Sequence, residues 1–136
     1  MKASEAQDFL RQHHRAVLST QRRDGRPQLS PVVCTVDDEG RVVISSTEDR
    51  AKVINLRRDP QVALCAFTER FFGTWVQVEG RAEVVALPGA MELLVDYYRR
   101  ISGEHPDWDD YRAAMERDQR VLVRFDIERA GPSPAG

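Results

Sequence analysis

Short segments in which apolar and polar residues alternate run through most of the chain. The clearest lies between residues 74 and 85, where Val76, Val78, Ala82 and Val84 alternate with polar side chains. A period of two is typical of a strand with one buried face. Similar patterns predict six strands in all, over residues 15–23, 27–36, 41–46, 61–68, 74–85 and 119–128.

Helical spacing of apolar residues appears between some of these strands. It predicts helices over residues 4–13, 49–58, 88–103 and a short stretch after 107. Ser4 and Gln7 form a capping box for the first helix, and Pro31 inside the second strand indicates a sheet edge or a bulge. The short connections favour a mainly β fold with inserted helices, in which six antiparallel strands close into a barrel. We expect one domain over residues 1–136, frayed from about residue 130 onward.

The composition is that of an ordinary globular domain and excludes several classes of protein. The 136 residues are 41 % hydrophobic and 31 % charged. No apolar run approaches the roughly 20 residues of a membrane span, and the N-terminus lacks the apolar stretch of a signal peptide, so we expect a cytoplasmic protein. The net charge of −2 and the aromatic fraction of 7 % argue against a nucleic-acid partner, including an oligonucleotide-binding barrel.

The segment from residue 45 to residue 52 concentrates groups that bind phosphate. It places three hydroxyl side chains and two cations at a predicted strand-to-helix junction: Ser45, Ser46, Thr47, Arg50 and Lys52. Hydroxyls and the amides of a helix start donate to phosphate oxygens, an arginine binds two oxygens at once, and a lysine adds a point charge. The same residues are also compatible with a capped helix that carries a solvated basic face.

Other candidate groups carry less chemistry. Arg57 and Arg58 either extend the positive field of residues 45–52 or are ordinary surface residues. Trp75 is either a core or interface residue or a lid over a flat ligand. Neither the spacing of a metal site nor that of a nucleophilic catalytic site occurs in the sequence.

Several segments resemble the pyridoxamine-phosphate-oxidase-like flavoproteins. These segments are residues 23–30, 49–52 and 55–60. More narrowly, they are similar to the actinobacterial branch that uses the deazaflavin coenzyme F420, the flavin/deazaflavin oxidoreductase B type. Residues 103–111 strengthen this narrower resemblance. The resemblance implies a six-stranded antiparallel split β-barrel of the FMN-binding type. It also implies a homodimer with two cofactor sites at the subunit interface.

The resemblance further assigns residues to the cofactor. Arg50 and Lys52 are implied to bind the cofactor phosphate, assisted by the hydroxyls of Ser45, Ser46 and Thr47. The second strand is implied to pass along the tricyclic ring, which nominates the following residues: Gln28, Ser30 and Pro31. It implies no fixed acid or base that maps onto this chain, so no catalytic side chain is expected.

The expected function is therefore an F420-dependent oxidoreductase that transfers a hydride from the reduced deazaflavin to a small conjugated organic substrate. The first alternative is an FMN-dependent enzyme of the same fold, of the pyridoxamine-phosphate-oxidase type. The second is a non-catalytic flavin- or deazaflavin-binding protein.

Overall fold

A computed structural model of the chain describes residues 1–132. Its elements, in chain order, are α1 (Ala3–Gln12), β1 (Arg15–Gln21), β2 (Pro27–Val36), β3 (Val42–Thr47), α2 (Ala51–Arg58), β4 (Gln61–Phe67), β5 (Trp75–Val85), α3 (Met91–Ser102), α4 (Trp108–Arg117), β6 (Arg120–Phe125) and β7 (Arg129–Gly131). Every helix in this part of the chain is too short or too polar to span a lipid bilayer.

The strands form a closed antiparallel barrel, as the alternating pattern predicts. Their order is β4-β1-β2-β3-β6-β5, and β4 also pairs with β5, which closes the ring of six strands. The short strand β7 adds to β5 through Gln77, Val78 and Glu79. The expectation of a frayed end from about residue 130 is therefore wrong for Ala130 and Gly131, which lie in this strand. Residues 133–136 of the expected tail lie outside the described part.

Strand β5 brings the barrel ends together because it pairs along both of its edges. One edge faces β4, and the other faces β7 and then β6. At Gly80 the chain that leaves β6 comes so close that an added Cβ would overlap the carbonyl oxygen of Asp126 and crowd the ring of Phe125. Glycine therefore permits this close approach.

Two apolar cores lie on opposite sides of the barrel wall. The interior is filled by fully buried aliphatic side chains and one aromatic ring, among them Leu18, Ile44, Leu64, Val78 and Phe125. A second cluster packs α3 and α4 onto the outside of β3 and β6: Val43, Ala90, Leu94, Val95, Tyr111 and Leu122. The neighbouring positions Val43 and Ile44 thus belong to different cores, because successive side chains of a strand point to opposite faces.

Strand β2 leaves its neighbour β3 halfway along its length. It pairs with β1 from Pro27 to Val33 but with β3 only from Cys34 to Val36. Pro31 therefore lies on a free edge on the β3 side, where its missing N–H breaks no ladder bond. The sequence prediction of an edge at Pro31 is confirmed, and this opening splits the barrel.

Two predictions about helix starts are wrong. Lys2, not Ser4, is the N-cap of α1, and no side chain in residues 1–132 caps this helix. Gln7 instead donates from Nε2 to the carbonyl oxygen of Gly40 at 3.0 Å, which ties α1 to the turn between β2 and β3. Helix α3 begins at Met91, three residues after the predicted Pro88.

Candidate functional site

A cavity of about 710 Å³ lies against the outside of the barrel, at the split beside β2. Its walls are mostly apolar and come from β1, β2, α3 and α4: Val17, Pro31, Val33, Tyr97, Tyr98 and Met115. Its polar lining comprises Arg15, Ser45, Lys52 and Arg120. A concave, largely apolar space of this size with a few polar groups is typical of a small-molecule site.

Strand β3 sorts the three predicted hydroxyl residues onto two faces. Ser45 lines the cavity. Ser46 is buried on the same face as Ile44, inside the barrel, so its side chain is separated from the cavity by the sheet. Thr47 shares the outer face with Ser45, but its Oγ1 donates to Asp49 Oδ1 at 2.6 Å. Only Ser45 of the three contributes directly to the cavity.

The two predicted cations occupy the start of α2. Arg50 is its exposed N-cap residue, and its backbone N–H donates to the carbonyl of Thr47. Lys52, in the first turn, is half-buried and lines the cavity. The strand-to-helix junction predicted from the sequence therefore exists, with Lys52 in the cavity lining and Arg50 exposed and outside that lining.

Arg120 is a site residue that the sequence interpretation missed. It is the first residue of β6 and lies opposite Thr47 in the β3–β6 ladder. It lines the cavity, and its buried Nε has no hydrogen-bond partner among residues 1–132. The alternating pattern of the last strand treats Arg120 as one more solvated polar residue, and only the register with β3 brings it beside Ser45 and Lys52.

The cations at this end of the cavity are uncompensated. Burial first, and then the charges of Arg50 and Arg120, lower the pKa of Lys52 below its ordinary value. Within the described residues, none of these three side chains takes part in an ion pair. An unpaired buried guanidinium nitrogen and mutually repelling cations are costly without an anion. The residues present therefore fit a phosphate group, and we call Ser45, Lys52 and Arg120 the cationic end of the cavity.

The residues nominated for the tricyclic ring are split between the two faces of β2. Pro31 lines the cavity. Gln28 and Ser30 pair with Thr20 and Leu18 of β1, whose side chains are buried inside the barrel, so both lie on the inner face of β2. Gln28 and Ser30 are both absent from the cavity lining. Gln28 Oε1 accepts hydrogen bonds from Arg22 at 2.8 and 3.0 Å. Of the three nominated residues, the structure brings only Pro31 to the site.

Arg57 and Arg58 are both engaged elsewhere in the fold. Arg57 Nη1 lies 2.8 Å from Glu48 Oε2. Arg58 donates to the carbonyl oxygen of Gln21 at the far end of β1 and to Asn55 Oδ1. These arginines therefore act as structural contacts of α2, and neither lines the cavity.

Two tyrosines of the cavity wall are held by backbone carbonyls. Tyr97 donates its hydroxyl to Val33 O and Tyr111 to Leu94 O, each at 2.8 Å. Burial raises the pKa of each phenol to about 12, so both are neutral at ordinary pH. Tyr111 also packs with Tyr98, His105 and Trp108 in an aromatic cluster beside the cavity. These side chains shape the wall and are not available as ionised bases.

Comparison with solved structures supports this architecture. A conserved hypothetical protein from Mycobacterium tuberculosis is 29% identical, with 96% of this chain and 82% of that chain covered and a TM-score of 0.77. A protein named F420 reductase is 21% identical over 92% of this chain and 94% of that one, with a TM-score of 0.70. A protein from Listeria innocua, provisionally assigned as a pyridoxamine 5'-phosphate oxidase, is 16% identical over 95% of both chains, with a TM-score of 0.68.

The comparison of the sequence with known families gives the same answer independently. The pyridoxamine 5'-phosphate oxidase family matches residues 3–132, which includes every strand of the barrel and the cationic end of the cavity. This match extends over nearly the whole chain, and the closed barrel is the fold that the resemblance implied. The chain belongs to the pyridoxamine 5'-phosphate oxidase family.

Proposed function

We propose that this protein is an oxidoreductase that uses coenzyme F420 and transfers a hydride from the reduced deazaflavin to a small conjugated organic substrate. The observation that supports a phosphate-bearing cofactor is the cationic end of the cavity, which Lys52 and Arg120 line without an anionic partner among residues 1–132. The family match and the similarity in fold to a protein named F420 reductase support it.

The residues of the cationic end, together with Arg50, hold the charged part of the cofactor in this proposal. Lys52 and Arg120 bind the cofactor phosphate, because a desolvated ammonium and guanidinium form charge-assisted hydrogen bonds with its oxygens. The hydroxyl of Ser45 donates a further hydrogen bond. Arg50, the exposed residue before α2 whose charge acts on Lys52, attracts the negative charges of the cofactor that extend beyond the phosphate.

The apolar walls position the ring and exclude water. Val17 and Pro31 lie on the barrel side, and Tyr98 and Met115 lie on the side of the helices. Bound there, the reduced deazaflavin would supply a hydride to an acceptor held against it. The protein contributes position and a dry environment, which are the usual contributions of a cofactor-binding fold.

The proposal includes a homodimer. Large apolar side chains are exposed on the outer face of the sheet and on the β4–β5 loop: Leu29, Val33, Phe71, Phe72 and Trp75. Phe72 is 93% exposed and Phe71 is 72% exposed. Several large apolar side chains left exposed are typical of an interface, and a second copy would also cover the open side of the cavity. We expect sedimentation equilibrium to give a dimer, and a monomer that still binds cofactor would contradict this part of the proposal.

FMN is the alternative cofactor, and the family match is compatible with it as well. The two cofactors share a tricyclic ring, a ribityl chain and a phosphate, so the cationic end would serve either one. They differ beyond the phosphate, where the deazaflavin continues into a tail that ends in glutamates. FMN has no such tail and needs no cation beyond its phosphate, whereas in this proposal Arg50 attracts the tail of the deazaflavin.

The activity is tested with reduced coenzyme F420 and a panel of conjugated acceptors. We expect reoxidation of the coenzyme, followed by its absorbance, only when protein and acceptor are both present. The matched variant is Lys52→Met, which removes the charge but keeps an unbranched apolar side chain of similar length. Stoichiometric binding of the coenzyme without turnover on any acceptor would instead indicate a non-catalytic carrier.

A further inference from the structure

The cavity is also lined by a cation that comes from another strand than Arg120. Arg15 begins β1, and Phe67 ends the neighbouring strand β4. Both line the main cavity, and both also line a second cavity of about 520 Å³ that lies beyond them and includes Glu69 and Arg70. Arg15 and Phe67 are thus shared by the two cavities, and the second cavity adds Arg70 as another cation.

Arg15 and Arg120 begin strands that are not neighbours in the sheet. Arg15 lies on β1 and Arg120 on β6, and the sheet order places β2 and β3 between these strands. Three strand spacings correspond to about 14 Å along the sheet. The cavity lining also includes apolar residues of β1 and β2, among them Val17 and Pro31. The cavity thus combines cations from separate strands with an apolar wall.

Arg15 is free to bind a ligand. Its side chain is 72% exposed, and its ion-pair partner, Glu69, lies 4.0 Å away and is 88% exposed. An exposed pair at this distance contributes little to stability, about 0–1 kcal/mol. A ligand carboxylate can therefore displace Glu69, and the planar guanidinium can hold both of its oxygens.

We infer that the part of the cavity beside Arg15 is a carboxylate subsite, and that the substrate is a conjugated molecule carrying a carboxylate. This inference rests on the proposed function, in which the phosphate of the cofactor occupies the cationic end. A flat acceptor that lies against the ring along the apolar wall reaches Arg15 with its charged group. The guanidinium then fixes which end of the acceptor enters first.

The test compares two probes of the same shape, 3-(2-naphthyl)acrylate and 3-(2-naphthyl)acrylamide. Binding to the full-length protein is measured by calorimetry, with and without saturating oxidised cofactor. We expect the carboxylate to bind about tenfold more tightly than the amide. Arg15→Gln should remove this preference, whereas Glu69→Gln should increase it, because the competing carboxylate is gone. Arg11→Gln, which removes the same charge outside both cavities, should leave the preference unchanged.

The outcomes separate this inference from the proposed function. Equal binding of the two probes, no binding of either, or an undiminished preference in Arg15→Gln would contradict the carboxylate subsite. A loss of cofactor affinity in Arg15→Gln would also contradict it, because Arg15 would then belong to the cofactor site. If the protein bound neither cofactor but kept a carboxylate preference that depended on Arg15, the proposed function would fail and the subsite would remain.

Discussion

The two faces of β3 belong to regions that are both buried but differ in chemistry. On the inner face, Val42 and Ile44 join a core of aliphatic residues in which each side chain is enclosed. On the outer face, Val43 packs in the core beneath α3 and α4, whereas Ser45, two residues further along, lines the cationic end of the cavity. The inner face of β3 is closely packed and apolar apart from the buried hydroxyl of Ser46. The outer face leaves cations unpaired in the described chain, and such departures concentrate at functional sites.

This contrast predicts that the largest loss of stability comes from the inner face. Phe125 is 2% exposed and fills the barrel interior between β5 and β6. Phe125→Ala should lower the free energy of unfolding by about 3–5 kcal/mol, because it leaves a cavity that the barrel cannot collapse around. Urea denaturation measures this loss. Ile54→Ala, at a site on α2 that is 54% exposed, is the matched control and should cost less than about 1 kcal/mol; similar losses for the two would contradict the contrast.

The outer face should respond in ligand affinity and not in stability. Lys52→Met and Arg120→Met should each weaken cofactor binding by about 1.5–3 kcal/mol through loss of a charge-assisted hydrogen bond. Urea denaturation of the two variants without ligand should show no loss of stability, because each substitution relieves repulsion among Arg50, Lys52 and Arg120. Arg50→Ala should weaken binding less, because Arg50 is exposed. Unfolding of the apoprotein by either methionine substitution, or unchanged affinity in both, would show that these cations are structural.

A substitution at Gly80 tests how closely the chain packs where β5 meets the end of β6. In Gly80→Ala the new methyl group would meet the carbonyl of Asp126 and the ring of Phe125, both rigidly held. We expect a loss of about 1–3 kcal/mol in the free energy of unfolding from overpacking. Gly89→Ala is the control, because its nearest neighbour, the carbonyl oxygen of Ala86, lies at an ordinary 3.6 Å. Equal melting temperatures for the two variants would contradict this account of β5.

The smallest effect concerns pH and again belongs to the outer face. The lowered pKa of Lys52 means that, between this pKa and the ordinary value of 10.5, the folded protein binds fewer protons than the unfolded chain. The contribution of Lys52 to stability therefore rises with pH across this window. A bound phosphate favours the protonated amine, so cofactor affinity should fall as the pH passes through the lowered pKa.

The control for this pH effect is Lys52→Arg, because a guanidinium stays protonated across the window. Subtracting its pH profile from that of the parent removes any titration of the cofactor itself. The difference should approach a factor of about ten per pH unit at its steepest, which corresponds to one proton. Identical profiles for the parent protein and the Lys52→Arg variant would mean that Lys52 does not contact the phosphate.

How much of this could be predicted from the sequence differs between the two faces. The alternation in β5 and the placement of Pro31 at an edge follow from local patterns, and both were predicted correctly. Ser45 and Ser46 look equivalent in the sequence, and the strand period alone separates them. Arg120 could not be found, because its place beside Lys52 depends on the register between β3 and β6, which are distant from each other in the chain. Local patterns thus predict individual strands, whereas predicting a site built from several strands requires knowing how those strands pair.

The most direct test of the central claim is a titration of the purified apoprotein with coenzyme F420 and with FMN, at low and at high salt. We predict that coenzyme F420 binds at least about tenfold more tightly, some 1.4 kcal/mol. We also predict that salt reduces this preference, because it screens the exposed contacts between Arg50 and the tail of the coenzyme. Equal affinity for the two cofactors, or tighter binding of FMN, would contradict the deazaflavin assignment.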